Sequence, residues 1–322
     1  MQSVRLFLVL FLVSLAQPAG AGQRHWMADW PVTDFSRAAV PLHAIRPGGP
    51  ARDDIPPIDQ PRFASVDQAA VPGIEPVVSI AIGDDARAYP LRVLIWHQIV
   101  NDRVGGTPIV VTFSPLCNAA LVYSRQVGAH VFDFGTTGLL RHADLVMYDR
   151  QTESWWQQYE GEAIVGSSVG MRLQALPARL ESMQRFAERY PAGQVLVPSD
   201  ATVRPYGRNP YTGYDSMPSP YLYDGPMPDG IAPLARVLAV GERAWSLSLV
   251  EARGRIETGD LRITWTPGQS SALDAKHIAE GRDVGNVVVR QLRDGVWGDV
   301  PYSVEFAFAF VAFNPGVSIT LD

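Results

Sequence analysis

The chain is expected to fold as a β-rich α+β protein, two diverged copies of a strand-helix-strand module in one compact body. Three observations point there. Short β-branched runs turn back at glycine and acid pairs, as in PVVSIAIGDDARAY (76–89) and RVLAVGERAW (236–245). Residues 110–121 (VVTFSPLCNAAL) are echoed by 262–273 (RITWTPGQSSAL), where Thr112, Pro115, Ala120 and Leu121 recur as Thr264, Pro267, Ala272 and Leu273. Finally, RFAERYPAGQVLV (185–197) aligns with AFVAFNPGVSITL (309–321), sharing Phe186 with Phe310 and Pro191 with Pro315.

Taken in order, residues 1–21 read as a signal peptide. Arg5 precedes an apolar run from Leu6 to Leu15, and Ala19-Gly20-Ala21 offers the small residues a signal peptidase needs. The run is too short for a stable membrane anchor, so a periplasmic or secreted protein is expected. Residues 22–75 are rich in proline and read as an extended arm anchored by Trp26, Trp30 and Phe35. The first copy spans 76–198. Within it, Leu91 to Val100 reads as a short helix, Ile109 to Phe113 as a buried strand, and Leu180 to Tyr190 as an amphipathic helix stopped by Pro191. A linker rich in proline and tyrosine (199–235) is expected to pack across the body, and 236–322 form the degenerate second copy.

Composition narrows the function classes. At 47% hydrophobic and 19% charged residues the chain can build an ordinary core. Its net charge of −6 argues against nucleic acid as a partner. Lys276 is the only lysine, and its context ALDAKHIAEG lacks the spacing of a phosphate loop. Cys117 is the only cysteine; in an exported protein it has no internal disulfide partner.

The run ARAYPLRVLIWHQIVNDRVGGTPIVVTFSPLC (86–117), with FGTTGLL (134–140), DLVMYDRQTESWWQ (144–157) and YGRNPYTGYDS (206–216), resembles the DUF3179 family of exported proteins of unknown function. The resemblance covers roughly 55–322. It implies a Trp-His pair at Trp96-His97 and a Cys-Pro-Leu-Cys motif where this chain has Ser114-Pro115-Leu116-Cys117. Ser114 replaces the first cysteine, and a serine cannot form the disulfide that a dithiol cycle requires.

Cys117 and His97 form the leading candidate pair, because the second copy carries Gln269 and the Glu251-Ala252-Arg253 stretch at the corresponding places. Two chemistries can use them. They could ligate copper or zinc, with Met147, Asp144 or His142 as a third donor. Alternatively His97 activates Cys117 as a nucleophile, with Asp144 or Asp102 orienting the imidazole and Asn118 as an oxyanion donor. Binding of a small ligand or soft metal ion ranks above a hydrolase or transferase. A non-catalytic scaffold with an inert Cys117 is the third reading. Asp149 to Glu153 reads as a charged hairpin turn, and Trp155 and Trp156 as core.

Overall fold

Two-residue turns set the local structure. Strands Pro76–Ile82 and Asp85–Pro90 pair antiparallel across Gly83-Asp84, and Arg236–Val240 and Arg243–Ser246 do so across Gly241-Glu242. Gly83 (φ 59°) and Gly241 (φ 58°) take the left-handed first turn position, which a side chain would strain. The computed structural model describes residues 26–322; the leader expected over 1–21 and His25 lie outside them.

Among the described residues strand accounts for 39% and helix for 14%, with five small sheets of three to five strands in a β-propeller arrangement and one two-stranded ribbon besides. The expectation of an α+β body made of two strand-helix-strand modules is corrected by this. Its physical reason lies in the helices. Leu91–His97, Met183–Arg189, Leu247–Arg253 and Ala307–Phe313 have seven residues each, which is about 10 Å of length. Such helices cannot form a layer over a sheet, so the sheets bury one another's faces. The largest apolar cluster accordingly joins Val78, Val111, Leu238 and Ile263 from four sheets.

Both helices read from the first copy are shorter than expected. Gln98 (φ 60°) ends Leu91–His97, and Ile99 and Val100 begin strand Ile99–Val104. Residues Arg179–Ser182 form a strand on Pro76–Ile82, so the second helix starts only at Met183. A further strand, Phe134–Arg141, reads FGTTGLLR, whose glycines hide it from a propensity argument.

The arm lies against the sheet formed by Arg46–Pro47, Phe134–Arg141, Asp144–Asp149, Trp155–Gln157 and Glu162–Val165. Trp30 meets Tyr148 and Trp155 edge-on, with ring centroids 4.9 and 5.4 Å apart. The linker is also packed. Tyr214 is buried, stacks on Tyr221 and abuts Phe306.

The three-stranded sheet Ile99–Val104, Thr107–Ser114 and Ala119–Ser124 carries the site at one turn. Ser114 pairs with Ala119, leaving Pro115, Leu116, Cys117 and Asn118 as the loop. Asn118 N–H donates to Pro115 O (3.1 Å), and Asn118 itself is left-handed (φ 53°). Three contacts pin this loop to its surroundings. Phe306 N–H donates to Cys117 O (3.0 Å), Asn118 Nδ2 to Val304 O (2.8 Å), and Tyr214 OH to Leu116 O (3.0 Å).

Asn118→Ala should therefore lose both a hydrogen bond and a tolerated left-handed residue, costing about 2–3 kcal/mol, whereas Asn118→Gly should cost about 1 kcal/mol. Urea unfolding of the two variants distinguishes these contributions. An alanine variant as stable as the glycine one would contradict the strained turn.

Candidate functional site

Cys117 is fully buried, and its thiol lies beside the carboxyl of Asp144 and the hydroxyl of Ser114. Its Sγ is 3.8 Å from the carbonyl oxygen of His142. Burial pushes the thiol well above its ordinary pKa, and the charges of Asp144 and Glu305 push the same way. A thiolate is the nucleophile and the metal ligand, so this environment keeps the sulfur in its unreactive form.

Asp144 opens strand Asp144–Asp149, immediately after the two-residue turn His142-Ala143. Gln157 Nε2 donates to its Oδ2 at 2.7 Å, and Tyr159 N–H donates to the same oxygen at 3.0 Å. Oδ1 is buried without a close hydrogen-bond partner, and the Ser114 hydroxyl and the Leu145 N–H also face the carboxyl. Burial outweighs these donors and pushes the carboxyl up to about 7.

Glu305 reaches the same cluster from strand Ser303–Phe306. Tyr159 OH donates to Oε1 (2.5 Å) and Ser303 Oγ to Oε2 (2.6 Å). Burial again dominates, Asp144 adds like-charge repulsion, and the carboxyl is pushed up to about 7. Two acids that disfavour each other's charge in one apolar region hold protons at near-neutral pH.

Tyr159 connects the cluster to solvent. Its ring stacks on Phe313 with centroids 4.2 Å apart, and Asn314 Nδ2 donates to its hydroxyl at 3.3 Å. Burial and Glu305 raise the phenol well above its usual value, so it remains a neutral donor. Above it lies a cleft of about 600 Å³, walled by Tyr123, Glu160, Arg172, Glu242, Tyr302 and Phe313, with Tyr159, Ser303 and Asn314 also exposed to it.

The backbone is strained on both sides of the cluster. Asn118, His142 and Ala143 are non-glycine residues at φ of 53°, 54° and 61°. Residues in this region cost about 1 kcal/mol or more each and persist only where the surroundings impose them. At His142-Ala143 the turn places Asp144 under the Cys117 loop. Burial and the neighbouring arginines, Arg141 and Arg46, hold the His142 imidazole down to about 4, and its ring meets Phe313 edge-on.

Of the residues read from sequence, the structure brings Cys117 and Asp144 together and engages His97 elsewhere. His97 Nδ1 is 2.8 Å from Pro56 O, and Nε2 is 2.8 Å from Tyr206 OH, with the two rings stacked. Both ring nitrogens are thus occupied, and burial lowers the imidazole pKa. Met147 is core. It packs with Phe134 and Trp156 in a different apolar cluster from Cys117. Among the described residues, no group of three or more His, Cys, Asp or Glu side chains is placed to hold a metal ion.

Asp102 accepts from Arg87 and Tyr89, at 2.9 and 2.5 Å, which commits its carboxylate away from His97. Asn118 spends its amide on Val304 O. Asp149 caps its own turn through Thr152 and takes the Trp156 indole N–H at 2.8 Å, while Glu153 pairs with Arg52. Trp155 and Trp156 fall in two separate apolar clusters. Glu305 and Tyr159 were not legible as site residues. One signal pointed to Glu305: it is the single charge in the apolar run SVEFAFAFVAF (303–313), where a buried carboxyl demands partners.

The family model for DUF3179, described as a protein of unknown function, matches residues 52–317. No curated protein and no solved structure matches the chain. A match over that span, together with the segments already noted, establishes that the chain belongs to the DUF3179 family.

Proposed function

We propose that the protein binds a small polar molecule in the cleft above Tyr159, with the buried acids Asp144 and Glu305 as a proton reservoir beneath it. The observation that carries this reading is the direct hydrogen bond from Tyr159, a cleft residue, to Glu305, a buried carboxyl pushed up to about 7. A cleft of about 600 Å³ is of ligand-binding size. A carboxyl that changes charge near neutrality, reached through one phenol, can take up or release a proton as a ligand docks.

This reading keeps Cys117 and Asp144 from the sequence-derived set. It assigns Cys117 the role of a neutral, polarisable neighbour that fills the space between the acids and the loop. Nucleophilic use of Cys117 gains no support from a thiol raised by burial or from a His97 whose nitrogens are both engaged. Copper or zinc ligation by Cys117, His97 and Met147 gains none either, since Met147 packs in a separate core.

Protein-observed NMR against a set of small carboxylic acids, amides and polyols tests the proposal. Shift changes should cluster on Tyr159, Ser303 and Asn314, and Tyr159→Phe should weaken binding about tenfold by deleting the hydroxyl. Binding only at other surfaces, or an unaltered affinity in the variant, would contradict it.

Cys117 should resist iodoacetamide in the native protein even at pH 9 and react promptly once the chain is unfolded in urea. Fast native labelling would restore the nucleophile.

The contribution of Asp144 and Glu305 to stability should fall as pH rises, against an opposite contribution from His142, whose imidazole is held down to about 4. Each acid keeps its proton in the folded state at pH values where the unfolded chain has released it, so the contribution is complete below the usual carboxylate range and lost towards about pH 7. The loss across that window is on the order of 2 kcal/mol or more. Asp144→Asn should make stability fall less with pH than in the parent when both are followed by urea unfolding from pH 4 to pH 8, since Glu305, Glu75 and His142 remain. An unchanged slope would place the protons elsewhere.

A further inference from the structure

A second cleft, of about 290 Å³, lies beside Trp96 and is lined by Pro205, Arg208, Asn209, Pro210, Thr212 and Lys276. It shares no lining residue with the cleft above Tyr159. Its chemistry is one-sided. Arg208 and Lys276 are exposed cations that make no ion pair with any described residue, and no carboxylate is among the lining residues. In a chain of net charge −6, two unneutralised cations at one concavity create a local field opposite to that of the whole molecule.

The frame around these cations is rigid. Asn209 is buried; its Oδ1 accepts from Tyr211 N–H (2.7 Å) and its Nδ2 donates to Ala275 O (3.1 Å). Asn209 N–H donates to Lys276 O (2.9 Å), and Ile278 N–H donates to Gly207 O (3.0 Å), so the segments bearing Arg208 and Lys276 are tied together by backbone hydrogen bonds on both sides. Thr212 Oγ1 donates to Asn209 O and closes the turn. The main chain that carries two exposed cations to one cleft is thereby fixed, and an anion between them would gain from both charges.

The remaining wall is apolar, formed by Pro205, Pro210 and the half-buried ring of Trp96. The indole Nε1–H of Trp96 is buried and has no hydrogen-bond partner. It lies behind the wall, where its resonance reports on the cleft. Two cations and an apolar wall together describe a small molecule with an anionic head and an apolar or planar body.

We infer that this cleft binds a small organic anion, its head between Arg208 and Lys276 and its body against Trp96 and the two prolines. Benzoate is a suitable probe, with benzamide as the neutral isostere and inorganic phosphate as a head without a body. Binding is read by calorimetry and by the indole resonance of Trp96 in a 1H–15N spectrum, assigned with Trp96→Phe.

Benzoate should bind saturably, shift that resonance, and bind at least about tenfold tighter than benzamide or phosphate. The double substitution Arg208→Gln with Lys276→Gln should abolish the preference over benzamide while leaving the melting temperature unchanged, since both side chains are exposed and neither is ion-paired with a described residue. Equal affinity for benzoate and benzamide, equal affinity for benzoate and phosphate, no saturable binding, or full benzoate affinity in the double variant would each overturn the inference. None of these results bears on the cleft above Tyr159, which is probed by separate residues.

Discussion

Two carboxyl groups and a thiol share one apolar interior, and keeping them there without an unpaired charge is the constraint on which the rest of the site depends. An isolated buried carboxylate is far too costly to keep, so the group must find donors, a cation or a proton. No arginine reaches Asp144 or Glu305 by ion pair among the described residues, although Glu75 and Glu181 each have one and Asp215 has two. The cluster is served by neutral donors instead, Gln157, Tyr159 and Ser303, and by protons held near neutrality.

That solution requires contributions from separate sheets. Asp144 and Gln157 come from the sheet that carries the arm, Cys117 from the three-stranded sheet, and Glu305 from the sheet that also holds Arg236–Val240. The loop at Cys117 is therefore fastened to strand Ser303–Phe306 by backbone and side-chain bonds, and left-handed residues at Asn118, His142 and Ala143 turn the chain sharply enough to close the gap. Strain of this kind survives because the docking imposes it. The same docking sets Tyr159 between the buried acids and the cleft, where a ligand and a proton can be coupled.

Local features were legible in the sequence wherever a short-range rule governed them. The turns at Gly83 and Gly241, the strand Pro76–Ile82 and the loop position of Cys117 follow from residues within a few places of each other. Helix extent was not, because a left-handed Gln98 and the pairing of Arg179–Ser182 with Pro76–Ile82 cut short two apolar runs that look helical by themselves. The sheet arrangement escaped for a related reason: matching segments in two halves suggested modules, while the packing that decides the fold is between small sheets distant in sequence. At the site, Cys117 and Asp144 stood out by residue type. His97 stood out as well, yet its partners Pro56 and Tyr206 lie 41 and 109 residues away, beyond any pattern in the chain. Glu305 and Tyr159 are joined across 146 residues, and only the misplaced charge in an apolar run announced one of them.

Everything at this site depends on the protonation of Asp144 and Glu305 in the folded protein. Carboxyl 13C NMR on protein labelled at aspartate and glutamate side chains, titrated from pH 3 to pH 9 and assigned with Asp144→Asn and Glu305→Gln, measures it directly. Two carboxyls should titrate near 7, and neutralising either should lower the apparent pKa of the other. Resonances for both residues that titrate in the ordinary carboxylate range, independently of each other, would contradict the account.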